Sequence, residues 1–586
     1  MKEVNIVIEI CGSAGEGTIS AGEILSRFMS SQGFEIMSFD SYPAEIRGFG
    51  KCVAHTRISS NPIYSPGKQA DVLISLNDKH SISQLSALKE NGVLIYDSQP
   101  TKPHQEDNSV AGRANPGTIP YGVPLGMLAQ KATGNTRGRN MVALGALSCL
   151  FHLDKDAFTE SIKARYGKKK QIVIDSNVNS FLEGFNWAKE NLKKADAHSF
   201  EDVKRPKHKE KLILNGNQLV ARAALDANLT FYAGYPITPA TKIMEILSKE
   251  LPRHGGVLLQ TEDEIAAIGA VIGAGFGGKR AMTGTSGPGF ALMTEFTGLS
   301  VMAEVPAVII NSQRGGPSTG MPTKTEQSDF NAALFSGTGD CPRVVLAPTD
   351  TKSCYDATVL ALYIAEKYQT LVVLLLDFFL SNSIKNIDVP RKPAKKYLNA
   401  NIAPKADELK DYKRYRFTKN GISPRSIPGT PGGVFFATGL EHDEYGRPNY
   451  SETGHLAMTQ KRFDKYRSVL SEAPKPQMVI SEQGEYDIGV ISWGSSAGAA
   501  HEAVMTARKE GINAASFSSV MLSPFPESAM IEFSHTCKKI LIPELNFSGQ
   551  FADFAAGILK RPVEKLNFIT GRPMASEDIL QKMREM

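Results

Sequence analysis

What this 586-residue sequence has little of already narrows its function. It holds six cysteines, Cys11, Cys52, Cys149, Cys341, Cys354 and Cys537, and no two stand at C-x-x-C spacing. A self-contained metal or iron–sulfur site is therefore not expected. The longest apolar run, residues 371–376, stops at Asp377, far short of the roughly 20 residues a membrane-spanning helix needs. Charge of one sign is barely in excess, since 66 Lys+Arg against 61 Asp+Glu leave +5. That is no footprint of nucleic-acid binding, which concentrates basic residues on one face. No repeat recurs at solenoid spacing. The opening Met1-Lys2-Glu3 carries no secretory leader, and cysteine is sparse. A reduced, cytoplasmic protein is the expectation.

What is present reads as ordinary globular sequence, 22% charged and 41% hydrophobic. At about 150 residues per domain, three to five domains are expected. Residues 5–10 read as a buried strand, 12–17 as a turn and 18–32 as a helix, with further strands at 72–76 and 93–96. Residues 189–211 are polar and basic without apolar periodicity, which reads as a linker. Alternation then restarts, with helices at 216–228, 239–251, from Glu262, 290–303 and 353–367, and strands at 231–233, 257–260, 281–284, 307–311 and 371–376. This rhythm implies a parallel sheet covered by helices on both faces. From 390 to about 486 the pattern dissolves into Pro, Gly, Lys, Tyr and Arg, too long a stretch for an idle loop. A last α/β unit follows: a strand at 488–492, a Gly494-Ser495-Ser496 turn and a helix at 497–510. The fold class expected is α/β, in three parallel-sheet domains.

Open α/β sheets bind ligands at the carboxyl ends of their strands, so the strand-to-helix junctions matter. In Gly234-Tyr235-Pro236-Ile237-Thr238-Pro239, Thr238 reads as helix N-cap and Pro239 as the first helical residue. In Thr261-Glu262-Asp263-Glu264, Thr261 and Glu264 fit a capping box. The helix after it carries Gly269, Gly273, Gly275, Gly277 and Gly278, each about 1 kcal/mol worse than alanine, so something must approach it closely. Asn311-Ser312-Gln313-Arg314-Gly315-Gly316-Pro317-Ser318-Thr319-Gly320 places Arg314 to meet an anion. Thr285-Ser286-Gly287-Pro288-Gly289 offers backbone N–H groups. Capping and solvated loops account for these junctions equally well at this point. Gly12-Ser13-Ala14-Gly15-Glu16-Gly17 has the order G-x-x-G-x-G, not the dinucleotide order G-x-G-x-x-G. The polar stretch from Asp40 to Gly50 is a candidate neighbour for it.

Taken together, Tyr235-Pro236-Ile237-Thr238-Pro239, Glu264-Ile265-Ala266-Ala267-Ile268-Gly269-Ala270 and Gln313-Arg314-Gly315-Gly316-Pro317-Ser318-Thr319-Gly320 resemble the 2-oxoacid:ferredoxin oxidoreductases, which use thiamine diphosphate and coenzyme A. The resemblance covers nearly the whole chain as a γ–α fusion. It implies a γ-like domain at 1–190, a linker at 191–211, a pyrimidine-binding domain at 212–385, an extended insert at 386–486 and a transketolase C-terminal-like domain at 487–586. It implies that Glu264 hydrogen-bonds the aminopyrimidine ring of thiamine diphosphate, and that Thr238 and Arg314 meet the substrate, Arg314 at its 1-carboxylate. Tyr235, Pro236, Ile237, Thr285, Ser286 and Gly287 would line the cofactor.

The Gly-Asp-Gly motif with which this family holds diphosphate and Mg²⁺ is missing; Gly339-Asp340-Cys341 is a partial echo. Mg²⁺ and the [4Fe-4S] cluster are then expected on a separate β subunit, in an (αβ)₂ assembly that passes electrons to ferredoxin. The segment after Pro390 resembles α subunits for 2-oxoglutarate, and Arg414, Arg416 and Arg425 are candidate anchors for a second carboxylate. Pyruvate, branched-chain or broad 2-oxoacids remain open, as do a non-catalytic scaffold and a nicotinamide-dependent dehydrogenase. The glycine order argues against the last.

Overall fold

A computed structural model describes residues 2–43, 50–99, 109–205, 211–479 and 484–586. Part of the polar stretch before Gly50 (44–49) and of the basic run after Arg205 (206–209) lies outside these residues. The chain forms two compact units, one of residues 1–214 and 383–389, the other of residues 215–382 and 390–586. Among the described residues no helix is long and apolar enough to cross a membrane.

The first unit is built on an eight-stranded sheet in the order Ile119–Val123, Leu88–Asp97, Ala70–Ser75, Asn5–Ser13, Lys51–Ser59, Glu35–Ser41, Ile384–Ile387 and Leu212–Asn215. Its first four strands are parallel, as the alternation predicts. The next three pair antiparallel, so this sheet is mixed. The reason is local: residues 42–50 are too few for the crossover helix that a parallel pair requires, so Glu35–Ser41 and Lys51–Ser59 run antiparallel. Helices Arg139–Leu150 and Gln171–Asn191 touch backbone to backbone. A Cβ on Gly145 would lie 2.1 Å from Phe181 O, and one on Gly184 2.1 Å from Val142 O, so both glycines are needed for the contact. In the Gly12–Gly17 turn, Glu16 folds back and accepts from Ser13 N at 2.7 Å and from the Asn77 amide, occupying the turn with its own carboxylate.

The second unit holds two sheets. The larger has seven strands in the order Met521–Ser523, Val344–Leu346, Leu371–Asp377, Ala307–Gln313, Ala281–Thr285, Phe231–Gly234 and Val257–Gln260, parallel except at the Met521–Ser523 edge. The smaller runs Gln477–Val479, Ala514–Ser518, Tyr486–Ser492, Cys537–Glu544 and Glu564–Asn567, again parallel except at its first edge. One apolar core, including Ile309, Val345, Phe330, Trp493, Phe517 and Phe551, serves both sheets.

The insert is not wholly irregular. It contains a 17-residue helix, Glu452–Ser468, capped by Ser451, whose hydroxyl accepts from Gly454 N. Its buried face carries Met458, Lys461, Arg462 and Lys465, so there was no apolar stripe to reveal it. Lys461 Nζ and Lys465 Nζ reach the two oxygens of Glu304 at 2.5 and 2.7 Å. Arg414 donates to Glu304 O at 2.7 Å, Arg425 to Gly275 O at 2.7 Å, and Arg416 pairs with Glu408. All three arginines are thus engaged within the chain, Arg414 and Arg425 on backbone carbonyls and Arg416 on a carboxylate.

Candidate active site

The residues singled out in the second unit converge at the carboxyl ends of three neighbouring strands, Phe231–Gly234, Ala281–Thr285 and Ala307–Gln313. Glu264 is the first residue of the helix Glu264–Phe276 and is only 6% exposed. The cap of that helix is Asp263, which accepts from Ala266 N at 2.7 Å, while Thr261 Oγ1 donates to Asp263 O. The capping-box expectation is therefore corrected: with Asp263 doing the capping, Glu264 is not tied back to the helix start. Among the described residues it has no hydrogen-bond or ion-pair partner. Its carboxylate lies against Gly289, where an added Cβ would stand 2.5 Å from Oε1 and 2.2 Å from Thr285 Oγ1. The glycines of this helix serve neighbours in part: a Cβ on Gly275 would meet Pro306 O at 2.3 Å, and one on Gly278 would meet Ile427.

The first junction also departs from expectation. The helix runs Thr241–Glu250 after Ala240, so Thr238 caps nothing and Pro239 precedes the helix. Instead the Thr238 carbonyl accepts from Arg314 Nη1 at 2.7 Å. Tyr235 and Pro236 are exposed, Ile237 and Thr238 half-buried. Arg314 is 7% exposed and its Nε has no partner. Burial pushes its pKa down, and the fields of Asp329 and Glu264 partly oppose that. Two further buried atoms are unpartnered here, Ser286 Oγ and Asn311 Oδ1. Thr285 and Asn311 are register partners on adjacent strands, and Gly287 opens the short helix after Ser286.

Asp329 was not visible as a site residue in the sequence. Its Oδ2 accepts from Asn311 Nδ2 at 3.1 Å and would lie 2.7 Å from a Cβ on Gly287. Burial raises its pKa, with Glu326 adding to the effect and Asn311 and Arg314 opposing it. The only available signal was the polar run Thr325-Glu326-Gln327-Ser328-Asp329 between apolar elements. The site thus gathers carboxylates around one guanidinium without neutralising it by contact. Among the described residues no group of three or more His, Cys, Asp or Glu could hold a metal ion.

Three family models match in succession: "Pyruvate ferredoxin/flavodoxin oxidoreductase" over residues 7–187, "Pyruvate flavodoxin/ferredoxin oxidoreductase, thiamine diP-bdg" over 222–461, and "Pyruvate:ferredoxin oxidoreductase core domain II" over 487–579. The chain is 30% identical to the 2-oxoglutarate oxidoreductase subunit KorA of Mycobacterium tuberculosis, over 98% of this chain and 90% of that one. The chain belongs to the 2-oxoacid:ferredoxin oxidoreductase family. Within this family it is also 37% identical to the 2-oxoglutarate synthase subunit KorA of Methanothermobacter marburgensis, over 64% of this chain and 99% of that relative. Its fold matches the solved 2-oxoglutarate:ferredoxin oxidoreductase of Magnetococcus marinus with a TM-score of 0.93 and 37% identity, over 100% of both chains. That structure holds 2-oxoglutarate, coenzyme A and succinyl-CoA.

Proposed function

We propose that this oxidoreductase chain is the γ–α subunit of a 2-oxoglutarate:ferredoxin oxidoreductase. With a β subunit carrying Mg²⁺ and a [4Fe-4S] cluster, it converts 2-oxoglutarate and coenzyme A to succinyl-CoA and carbon dioxide. The two electrons released pass to ferredoxin, and the reverse reaction fixes carbon dioxide. One observation carries the reading: a buried carboxylate with no partner among the described residues and a buried guanidinium held by a single backbone carbonyl share one sheet edge in a chain alike over its full length with an enzyme of that name.

Two features support a fit to thiamine diphosphate. Glu264 is a buried carboxylate without a partner, and Gly289 leaves beside it the room a Cβ would fill. Glu264 would accept a hydrogen bond from the protonated aminopyrimidine ring, with Thr285, Ser286, Gly287 and the Tyr235–Ile237 loop around it. When bound, the cofactor supplies the carbon nucleophile that makes decarboxylation of a 2-oxoacid feasible. Arg314 offers Nε and its remaining N–H groups to the 1-carboxylate, while Thr238 O fixes the fork in place. Burial strengthens that contact, because little water competes with it. The fields of Asp329 and Glu264, both near Arg314 yet not paired with it, offset part of the cost of burying its charge. A second copy of the αβ pair completes the proposed (αβ)₂ assembly, and the location proposed is the cytoplasm, in keeping with six free cysteines.

The test is anaerobic reduction of a viologen dye by the complex co-purified on this tagged chain, with coenzyme A and a panel of 2-oxoacids. Preference for 2-oxoglutarate is the expected result. Preference for another acid retires the dicarboxylate. No 2-oxoacid-dependent reduction from a complex that contains its iron–sulfur partner retires the catalytic reading.

A further inference from the structure

The Gly494-Ser495-Ser496 turn and the end of the strand Cys537–Glu544 grip the segment that leads from Arg314 to Asp329 at the carboxyl edge described above. Residues 314–328 make a loop tied at both ends. Gly315 N donates to Lys324 O at 3.1 Å, Met321 N to Gly315 O at 2.7 Å, and Asp329 N to Gln313 Oε1 at 2.9 Å. The far side of this loop is fastened through Gln327, which is fully buried.

Gln327 spends all of its main hydrogen-bonding groups on the last α/β layer. Its Nε2 donates to Trp493 O at 2.9 Å and its Oε1 accepts from Leu545 N at 3.2 Å. Its backbone N donates to Leu545 O at 2.8 Å and its carbonyl accepts from Asn546 Nδ2 at 2.9 Å. Gly494, at φ 57°, is glycine because Gln327 takes the adjoining space: a Cβ there would lie 2.5 Å from Nε2. Beside it, Gln550 Nε2 donates to Ser328 O at 2.8 Å and Gln550 Oε1 accepts from Asn331 N at 2.9 Å. The clamp is itself braced. The buried Glu544 accepts from Asn546 Nδ2 at 2.9 Å, and from Phe551 N and Ala552 N.

We propose that Gln327 is a positioning residue for substrate binding, through which the last α/β layer fixes the loop that presents Arg314 and Asp329. This rests on the reading of Arg314 as the residue for the substrate's 1-carboxylate. A side chain without the amide takes the Gln327 partner from Leu545 N in a buried place and leaves Trp493 O with Ser496 Oγ alone, so the segment shifts to find other partners. A displacement of about 1 Å at the guanidinium is enough to cost roughly 10²-fold in rate.

The experiment uses the purified complex with its β partner and measures kcat, the KM for 2-oxoglutarate, the KM for coenzyme A and Tm. Gln327→Ala raises the 2-oxoglutarate KM about tenfold or more, and Gln550→Ala raises it a few-fold, while the coenzyme A KM stays within about twofold. Should Gln327→Ala not fold, Gln550→Ala, at a half-buried position, decides. An unchanged 2-oxoglutarate KM in the folded variants overturns the inference, as does a parallel loss of both KM values and Tm, which marks general loosening. Arg314→Lys run alongside separates the two layers of argument. A wild-type KM in that variant overturns the reading of Arg314 and the inference with it, whereas a wild-type KM in the glutamine variants alone overturns only the inference.

Discussion

The second unit buries charge in two places, and they differ in how it is paired. Around Glu304, itself 1% exposed, stand Lys461, Lys465 and Arg414, each at hydrogen-bond distance from its carboxylate or its carbonyl. Burial alone would raise Glu304; the three cations reverse this and hold it well below the usual carboxylate range. At the carboxyl edge, Glu264 and Arg314 are about as deeply buried, yet the carboxylate has no partner among the described residues and the guanidinium has one carbonyl. Burial of charge costs solvation in both places. What separates a brace from a binding site is whether the protein itself supplies the counter-charge.

That contrast can be broken most directly at Glu264. Glu264→Gln is expected to lower 2-oxoacid-dependent dye reduction by about 10³-fold with Tm unchanged, since the native carboxylate has no internal partner to lose. An active variant removes Glu264 from the chemistry. Glu304→Gln does the opposite: it leaves buried cations uncompensated and should destabilise the fold by about 3–5 kcal/mol, seen in chemical denaturation, while turnover per folded molecule stays near normal. Unchanged stability would mean that the cluster is not a brace.

Arg314→Lys keeps the charge but loses the fork, and a KM for 2-oxoglutarate raised by about 10–100-fold is expected, with a smaller change in kcat. An unchanged KM would move the substrate carboxylate elsewhere. Asp377 supplies the smallest effect and an intermediate case, a buried carboxyl with hydrogen bonds from Ser495 and Leu380 N but no cation beside it among the described residues. Burial raises its pKa to about 6. The folded state therefore holds a proton that the unfolded chain releases near pH 4, so stability falls as pH rises from about 4 to 6. Asp377→Asn should flatten that slope and gain on the order of 1–3 kcal/mol above pH 6, measured by denaturation at several pH values. A slope equal to the wild type's would contradict it.

Much of the catalytic half was legible because its strands are short apolar runs closed by glycine or polar turns. Val257–Gln260 was read to the residue and the strands beginning at 231, 281, 307 and 371 to within two, whereas the three-residue strands Val344–Leu346 and Met521–Ser523 were too short to show. Glu264 and Arg314 stood out for the same reason, each in the junction that follows a strand. Helix boundaries were harder. Asp263 and Thr261 are both good caps by composition, and only the backbone geometry selects Asp263. Glu452–Ser468 stayed hidden because a helix that buries lysines against a glutamate has the wrong periodicity for any apolar template. Asp329 stayed hidden because its partner Asn311 is 18 residues away, and nothing short of the folded loop brings them together.

The edge of the first unit's sheet carries a further consequence. Ile384–Ile387 pairs with Glu35–Ser41, with Asn386 bonding to Ile36 N and Phe34 O, although nearly 170 residues of the second unit intervene between Leu214 and Ser383. A chain made from its N-terminus cannot close this sheet when its first 214 residues leave the ribosome; it must wait for residue 389. The nascent protein therefore carries an open strand edge throughout synthesis of the first catalytic sheet. Such an edge invites pairing with other chains, so the interval before residue 389 emerges is when this protein is most exposed to misassembly.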